Sequence, residues 1–583
     1  MKRWGKYVKP YLPYFILGPL CMIIEVIGEV LMPKFLAQVI NNAQNHTPWF
    51  SAGMAGAMVL TAVMMMLGGV GGAFFGARAS VNFAADLRLD VYAKIQQFSF
   101  ANIDKFSTGS LVTRLTNDIQ QMQMMVNMLL RMFLRSPGML IGALIMAITL
   151  RPSLAVVLAV TIPLMLCAIL LVICIGFPRF GRVQKKLDGL NATVQENVTN
   201  VRVVKSFVRE DFEKDKFRTA NRELKKTSMS ATKVMIFMSP VMTLFMNITT
   251  IAVLWLGAPM VQSGMEIGDL SAFITYVTQI LSSLMMVTMM LMMSSRALAS
   301  AKRVREVLEE PLDLTDTASA DREATVTRGE IEFRGVTFRY YKDSEDPVLD
   351  KIDLKIPAGA TVGIIGSTGC GKTTLVSMIP RLYDADAGEV LVDGRNVKDY
   401  TLYNLREGVG IVLQKNVLFS GSIEDNLRWG NEDASMEEIR TAASHAQADK
   451  FVTSFKGEYG YDLGQGGKNV SGGQKQRLCI ARTLLKKPKI IILDDSTSAV
   501  DTATEAQIRK AFREELSGST KIIIAQRITS VRDADVIVVM NEGKITGIGT
   551  HDELLGGNTE YREIYESQTD MTSRSASDNG KEA

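Results

Sequence analysis

Six long apolar stretches in the first half of the chain constrain its fold more than any other feature. Each is about long enough to cross roughly 30 Å of hydrocarbon as a helix. Helices are favoured there because all their backbone hydrogen bonds are made within the segment. We therefore predict a polytopic α-helical membrane domain. The six predicted spans are residues 13–36, 53–78, 132–150, 153–177, 235–259 and 268–294.

Lysine and arginine are distributed unequally among the segments that join these spans. The short loops after the first, third and fifth spans hold almost none, Arg151 being the exception. The basic stretches are residues 1–9, 86–118, 179–226 and 301–305. Because positive charge marks the cytoplasmic side of a membrane protein, we predict that the N-terminus, both long excursions and the second half of the chain are cytoplasmic.

The two long excursions between spans have helical spacing. In residues 83–130 and 179–232, apolar side chains recur three and four positions apart with charges between them. We predict that spans two to five continue into the cytoplasm as long helices, with a short turn at residues 107–109. A separate coiled-coil stalk is the alternative.

The composition changes after about residue 330. Short β-branched strands alternate there with charged helices, as in an α/β domain. The predicted organisation is a membrane domain at 1–310, a linker at 311–328, an α/β domain at 329–568 and a disordered polar tail at 569–583. The formal net charge of +4 is small and gives no case for nucleic-acid binding.

A glycine-rich loop follows a buried strand at residues 361–365 and precedes a helix. In this context the loop predicts a phosphate-binding P-loop, since glycines let backbone N–H groups converge on an anion at a helix N-terminus. Lys372 is placed to reach the β- and γ-phosphates, and Thr373 to reach Mg²⁺. The predicted phosphate-binding residues are Gly366, Ser367, Thr368, Gly369, Cys370, Gly371, Lys372, Thr373 and Thr374.

Two further segments complete the pattern. A turn that opens a helix offers a hydroxyl and unhindered N–H groups to an anion, and an acidic strand end at 491–495 follows about twenty residues later. The turn consists of Ser471, Gly472, Gly473 and Gln474. On its own such a turn is an ordinary helix cap, but its place before the acidic strand favours a functional role. Tyr340 is placed to stack on adenine, or alternatively is a residue of a sheet.

These motifs identify the chain as similar to a type I, multidrug-exporter-like ATP-binding cassette half-transporter. The resemblance covers residues from about 10 to 565 and includes the exporter-like stretches 102–118 and 203–207. It implies a P-loop ATP-binding cassette after the six spans, with ATP and Mg²⁺ as cofactors. It also implies a dimer in which each ATP is held by one subunit's P-loop and the other subunit's signature.

The resemblance assigns roles to individual residues. Gln414 is the loop glutamine that senses Mg²⁺ and the membrane domain, and the turn at 471–474 is the signature that closes over a partner's ATP. Asp494 ends the second phosphate-site strand, and Asp501 belongs to the loop 498–501 that contacts the opposite subunit. The implied metal-binding residues are Thr373, Gln414 and Asp494.

Two residues depart from the family's pattern. Asp495 stands where the family has the glutamate that polarises the attacking water, and Gln526 where it has a histidine beside the γ-phosphate. The shorter carboxylate withdraws the base by about 1.5 Å, and glutamine cannot become cationic. We expect a degenerate, slow ATP site paired with a second half-transporter that carries the usual glutamate and histidine. Tolerated drift in an active enzyme and a slow homodimer are the alternatives.

The transported compound is expected to be lipophilic. The sixth span is crowded with methionine, including Met286 and Met290, and flexible thioethers suit a cavity that accepts varied shapes. Met122, Met124, Met125 and Met128, before the third span, are expected to serve packing.

Two carboxylates interrupt the first span. Glu25 and Glu29 lie one helical turn apart, where they either attract cationic substrate or pair with Arg131 or Arg135. Drug export across a bacterial plasma membrane is the leading hypothesis, and movement of a lipid or peptide is the alternative.

Overall fold

The chain divides into two compact units in the computed structural model. The first unit is Met1–Gln96 with Gly109–Glu310, and the second is Gln97–Thr108 with Pro311–Ala583. The structure describes residues 4–44, 48–342, 344–495 and 502–568. A short segment of the first excursion therefore belongs to the second unit, although it interrupts the first unit in sequence.

The first unit is helical in its described residues. Six of its helical runs are long and apolar enough to cross a membrane: Gly5–Gln44, Ala52–Gln96, Thr108–Leu150, Pro152–Thr199, Glu210–Gln262 and Ile267–Val287. The helices up to residue 309 are α1 (Gly5–Val8), α2 (Leu12–Gln44), α3 (Pro48–Gln96), α4 (Phe100–Phe106), α5 (Thr108–Thr113), α6 (Ile119–Met132), α7 (Arg135–Leu150), α8 (Pro152–Thr199), α9 (Val201–Ser206), α10 (Glu210–Ile236), α11 (Met238–Gln262) and α12 (Ile267–Glu309). The prediction of six spans is confirmed.

Several of these helices extend far beyond a membrane's thickness. Helix α3 has 49 residues and α8 has 48, so each is about 70 Å long at roughly 1.5 Å per residue. The spans therefore continue as helices, as predicted, and no separate stalk is found in the described residues.

The prediction of a single turn at 107–109 was incomplete. The chain breaks twice, at residues 97–99 and at Ser107, whose φ is +55°. Helix α4 lies between the two breaks. It begins at a capping box in which the Asn102 amide N–H donates to the Ser99 hydroxyl and the Asn102 side chain accepts from the Ser99 N–H. That reciprocal cap supplies two of the hydrogen bonds that a short helix needs at its first turn.

Two sheets organise the second unit. The strands are β1 (Ile331–Phe338), β2 (Leu349–Ile356), β3 (Thr361–Gly366), β4 (Ala387–Val392), β5 (Arg395–Asn396), β6 (Val409–Val412), β7 (Ile490–Asp494), β8 (Thr520–Ile524), β9 (Val536–Asn541) and β10 (Lys544–Gly549). The smaller sheet has the order β2-β1-β4-β5 and the larger has the order β10-β9-β3-β8-β7-β6. The remaining helices are α13 (Lys372–Ser377), α14 (Leu402–Glu407), α15 (Ile423–Arg428), α16 (Met436–His445), α17 (Asp449–Val452), α18 (Gly472–Lys486), α19 (Thr502–Glu515) and α20 (His551–Gly557).

The larger sheet brings the predicted site together. Strands β3, β8 and β7 are parallel neighbours, with Ile364 opposite Ile524 and Ile524 opposite Asp494. Their isoleucine-rich sequences are buried on both faces, as expected of a parallel sheet. The segments that leave these three strands therefore meet at one edge, where open α/β sheets bind ligands.

Helix α4 and the segment 311–328 are both bonded within the second unit. Phe100 lies 6.1 Å from the Tyr383 ring, and Asn102 donates to the Pro311 carbonyl at 3.1 Å. Within the segment predicted as a linker, Asp321 pairs with Arg395 at 2.7 Å and Thr317 donates to the Lys398 carbonyl at 2.9 Å. Polar side chains of this segment therefore form specific contacts with the α/β domain.

Candidate functional site

The loop between β3 and α13 contains glycines that no other residue could replace without rearrangement. At Gly371, which has φ of +97°, an added Cβ would lie 2.8 Å from the Val348 carbonyl oxygen. At Gly366 it would lie 2.0 Å from the Met540 carbonyl oxygen. The loop is thus held tightly against two neighbouring segments, and its backbone leads directly into the first turn of α13.

Lys372 folds over this loop. Its ammonium donates to the carbonyl oxygens of Gly366 and Ser367, each at 2.8 Å, and lies 3.7 Å from the Cys370 sulfur. Cys370 is buried. A single cation is therefore held within a loop whose N–H groups lead into a helix, an arrangement that can accept a chain of phosphates.

Thr373 and Asp494 contact each other below the loop. The Thr373 hydroxyl lies 2.9 and 3.1 Å from the two carboxylate oxygens of Asp494. Burial raises the pKa of Asp494 and the nearby Asp495 charge adds to the rise, while the Thr373 hydrogen bond and the Lys372 charge oppose it. A hydroxyl and a carboxylate side by side provide the hard oxygen ligands that Mg²⁺ prefers.

These residues fit a Mg²⁺ that is bound together with phosphates. Within residues 4–44, 48–342, 344–495 and 502–568 no group of three or more His, Cys, Asp or Glu side chains is arranged to hold a metal by itself. Mg²⁺ is commonly bound by one or two protein ligands together with phosphate oxygens and water. The pair Thr373 and Asp494 matches that type of site.

The three residues predicted to act in catalysis lie together. Gln526 donates from Nε2 to Oδ2 of Asp495 at 2.7 Å, and the Gln414 side chain also hydrogen-bonds to Asp495. Burial raises the pKa of Asp495, and the hydrogen bonds from Gln414 and Gln526 act in the opposite direction. Asp495 has φ of +47°, the left-handed region that costs most residues about 1 kcal/mol or more.

Gln568 is a neighbour of this cluster that the sequence did not indicate. Its Nε2 donates to the Gln526 carbonyl at 2.8 Å, and its Oε1 accepts from the Ile528 N–H at 2.9 Å. One amide side chain therefore bridges the backbone on both sides of Arg527. Gln568 belongs to no motif and lies 42 positions from Gln526, so no signal in the sequence would have revealed the contact.

Tyr340 lies beside the loop just after β1. Its hydroxyl is 2.9 Å from the Thr374 hydroxyl, and its ring meets those of Phe338 and Tyr383 edge-on, at 5.0 and 5.3 Å. The residue is 45% exposed. The aromatic surface is therefore available to a ligand, although the ring also packs on the smaller sheet, so both alternatives from the sequence remain.

The turn before α18 has the geometry of a helix cap. Gln474 N–H donates to the Ser471 hydroxyl at 3.3 Å, and Ser471 N–H donates to the Gln474 side chain at 2.8 Å. Ser471 and Gly472 are exposed, while Gly473 and Gln474 are partly buried. This cap is on the surface, where a second chain can reach it. Asp501 and its loop 498–501 lie outside the described residues.

The membrane unit pairs both intramembrane carboxylates with one arginine. Oxygens of Glu25 and Glu29 lie 3.2 and 2.7 Å from Nη2 of Arg135. The other oxygen of each carboxylate is buried without a hydrogen-bond partner among the described residues. The structure therefore contains the pairing that the sequence analysis offered as the alternative to a substrate role.

A cavity of about 340 Å³ lies in the same unit. Met286 and Met290 line it, as the sequence suggested, together with Arg131 and Arg135. Three of the α6 methionines that were expected to serve packing, Met124, Met125 and Met128, also line the cavity. The reason is that α6 turns these side chains towards the cavity, whereas Met122 is buried. The side chains of Met289, Met292 and Met293 are outside the described residues.

Comparison with protein-family models gives a match in each of the two units. The model of the ABC transporter transmembrane region matches residues 15–284, and the model of the ABC transporter family matches residues 349–498. A bacterial Atm1-family ABC exporter, solved with ATP bound, has a similar fold, with a TM-score of 0.79 at 24% identity over 96% of this chain and 98% of that chain.

Two curated relatives illustrate the range of similar proteins. An uncharacterized ABC transporter ATP-binding protein of Bacillus subtilis, YfiB, is 37% identical over 97% of this chain and 98% of its own length. An ATP-dependent lipid A-core flippase of Desulfotalea psychrophila is 32% identical over 84% of this chain and 85% of its own length.

Proposed function

The chain belongs to the ABC transporter family as a type I exporter half-transporter, and we propose that it is the slow-site subunit of a heterodimer. It is a multi-pass membrane protein and an ATPase coupled to transport, with ATP and Mg²⁺ as cofactors. In the proposal, ATP-driven switching exports lipophilic compounds across a bacterial plasma membrane, with the N-terminus and the ATP-binding domain in the cytoplasm. The basic excursions support that orientation.

The proposed ATP site consists of the cluster at the edge of the larger sheet. The loop from Gly366 to Thr374 holds the phosphates, and Lys372 exchanges its two carbonyl partners for phosphate oxygens. Thr373 and Asp494, with Gln414, face the Mg²⁺, which neutralises charge on the phosphates when it is bound. Tyr340 offers its exposed ring to the adenine. The proposed domain boundaries are those predicted from the sequence, at residues 310, 328 and 568.

The contact between Asp495 and Gln526 carries the proposal of a slow site. Asp495 lacks one methylene of the usual glutamate, and a displacement of about 1 Å at a reacting centre costs on the order of a hundredfold in rate. Its carboxylate also accepts the Gln526 hydrogen bond at 2.7 Å. The Asp495 carboxylate, which would orient water, is thus shorter than the usual glutamate and already accepts a hydrogen bond. The Gln526 side chain, at the position of the usual histidine, is a neutral amide.

The signature supports a role in a partner's site. Ser471 and Gly472 are exposed, and the Ser471–Gln474 cap holds the turn in a fixed conformation. In the proposed heterodimer this turn closes over the ATP of a second half-transporter that carries glutamate and histidine. Asp501 contacts that subunit. The chain would then contribute little hydrolysis itself but complete a fast site.

Export of a lipid is a second candidate, and two observations favour it. One relative is named as an ATP-dependent lipid A-core flippase. In addition, the cavity is lined by methionine side chains together with Arg131. An apolar wall with a cation suits an amphipathic compound. Drugs and lipids are distinguished by comparing dye export from vesicles with headgroup translocation in the same preparation.

The test of the proposal is ATP hydrolysis by this chain alone and with candidate half-transporters. A partner that co-purifies with the chain and raises turnover at least about tenfold supports the heterodimer. In that complex, replacing Lys372 should reduce activity far less than replacing the partner's P-loop lysine. Full activity of the chain alone, abolished by Asp495→Asn, would establish a homodimer in which aspartate suffices.

A further inference from the structure

A groove rich in positive charge lies between α8 and α10, and it shares no lining residue with the methionine-lined cavity. Its volume is about 600 Å³. Five basic side chains line it, and they define what we call the basic groove: Arg179, Arg222, Lys225, Lys226 and Lys233. No acidic residue lines it among the described residues.

The five cations have little internal compensation, the nearest being the charge of Glu223, which interacts with Lys226. Within the described part of the chain none of them makes an ion pair or a side-chain hydrogen bond. Glu223 is the neighbouring carboxylate on α10, and it is already paired with Lys186 of α8 at 2.6 Å. One carboxylate shared with Lys186 leaves the five cations of the basic groove with an excess of positive charge.

The spacing of the cations makes this excess unfavourable without a ligand. Arg222, Lys225 and Lys226 are three and four positions apart on one helix, where like charges repel. Lys233 lies further along the same helix, and Arg179 comes from the facing helix. An anion in the groove would relieve repulsion from both sides at once, and multiple N–H donors match the oxygens of a phosphate.

One end of the groove is apolar and adjoins the membrane-spanning parts of both helices. Val234 and Phe237 line that end, and an added Cβ at Gly176 of α8 would lie 3.7 Å from Val234. By sequence, Arg179 follows the predicted fourth span by two residues and Lys233 precedes the fifth by two. The end of the basic groove that contains Arg179 and Lys233 is therefore placed where lipid headgroups meet acyl chains, and the other three cations extend from it into the cytoplasm.

We propose that the basic groove binds the phosphate headgroup of an anionic membrane phospholipid, with its acyl chains along the apolar end. A soluble phosphate would satisfy the cations but leave Val234 and Phe237 without a ligand contact. A zwitterionic lipid would satisfy the apolar end but bring no net negative charge. This inference depends on the membrane placement of the chain and is independent of whether its ATP site is slow.

The test is native mass spectrometry of the purified full chain with short-chain phosphatidylglycerol or phosphatidylcholine. The wild-type chain should bind phosphatidylglycerol at least about tenfold more tightly, as several cations acting on one anionic headgroup would give. The variant Lys225→Gln, Lys226→Gln, Lys233→Gln should lose this preference. Exposed lysines tolerate glutamine, and retained ATP binding verifies that the variant is folded.

A matched variant removes the same charge elsewhere. Arg202→Gln, Lys214→Gln, Lys216→Gln lies on α9 and the first turns of α10, outside the basic groove, and should keep the preference for phosphatidylglycerol. Equal binding of the two lipids by the wild type, or an unchanged preference in the groove variant, would overturn the proposal. Complete displacement of the lipid by millimolar inorganic phosphate would also overturn it, because the site would then be one for a soluble anion.

Discussion

Gln526 donates a hydrogen bond of 2.7 Å to the carboxylate of Asp495. These are two predicted catalytic positions at which the chain departs from the family's pattern, and they touch because β7 and β8 are parallel neighbours with Asp494 opposite Ile524. The two departures therefore form one local unit. The free-energy effects of substitutions at Asp495 and Gln526 are expected to be non-additive, because substitutions at residues in contact influence each other.

Replacing Lys372 should weaken ATP binding without unfolding the chain. Among the described residues its ammonium donates to the carbonyls of Gly366 and Ser367 and lies near the Cys370 sulfur, all within its own loop, so Lys372→Ala should leave the sheet intact. A charged hydrogen bond is worth about 1.5–3 kcal/mol, so we expect roughly 10- to 100-fold weaker binding of a fluorescent ATP analogue. The exposed Lys456→Ala is the matched control and should bind normally.

Gln568 should hold the Gln526 segment in position. Gln568→Ala removes two hydrogen bonds, to the Gln526 carbonyl and from the Ile528 N–H. Hydrogen exchange at Ile528 should therefore become at least about fivefold faster, given about 1 kcal/mol per bond. The neighbouring Glu566→Ala should leave this exchange unchanged. Equal protection of Ile528 in both variants would show that Gln568 does not hold the segment.

Arg135 should contribute to the stability of the chain because it pairs with two carboxylates. Arg135→Met removes the cation that pairs with the partly buried Glu25 and Glu29, and breaking such a pair costs up to about 3–5 kcal/mol. We expect lower thermal stability of the purified chain, measured by its aggregation temperature. Adding Glu25→Gln and Glu29→Gln should recover much of the loss. If the triple variant is no more stable than Arg135→Met, the pairing is not what stabilises this region.

The ionised Asp494 carboxylate should lower the stability of the native state at neutral pH in the absence of ligand. Burial raises its pKa above the ordinary value of 3.8, so the native state binds more protons than the unfolded state between the two pKa values. Stability should therefore fall as pH rises through that window and stay lower above it. Asp494→Asn should raise the melting temperature at pH 7 without nucleotide, and the gain should shrink under acid conditions. Mg²⁺-dependent hydrolysis should be lost.

The sequence predicted those parts of the site that lie in contiguous motifs. The loop at 366–374, the turn at 471–474 and the strand end at Asp494 each depend on residues close in the chain, so local chemistry was sufficient to propose them as site residues. The six spans followed in the same way from length and apolar composition. Their continuation as long helices followed from periodicity.

Contacts between distant segments could not be predicted from these patterns. The bond between Gln526 and Asp495 requires the strand order β3-β8-β7, and the Gln568 bridge requires the end of the described chain to pack beside the segment that follows β8. Similarly, the choice of Arg135 over Arg131 as the partner of Glu25 depends on how α2 and α7 rotate against each other. The break at residues 97–99, before α4, was not predicted because the residues of the capping box at Ser99 do not stand out from the helical pattern around them.

Hydrolysis at this chain's own ATP site, with the partner's site inactivated, tests the central claim most directly. In a heterodimer whose partner lacks its catalytic glutamate, single-turnover hydrolysis by the wild-type chain should be slow. Introducing Asp495→Glu and Gln526→His together should raise the rate of hydrolysis by about a hundredfold. Each single substitution should lower the activation free energy by less than half as much as the double substitution does. An unchanged rate in the double variant, or a wild-type rate as fast as that of the intact partner site, would contradict the account.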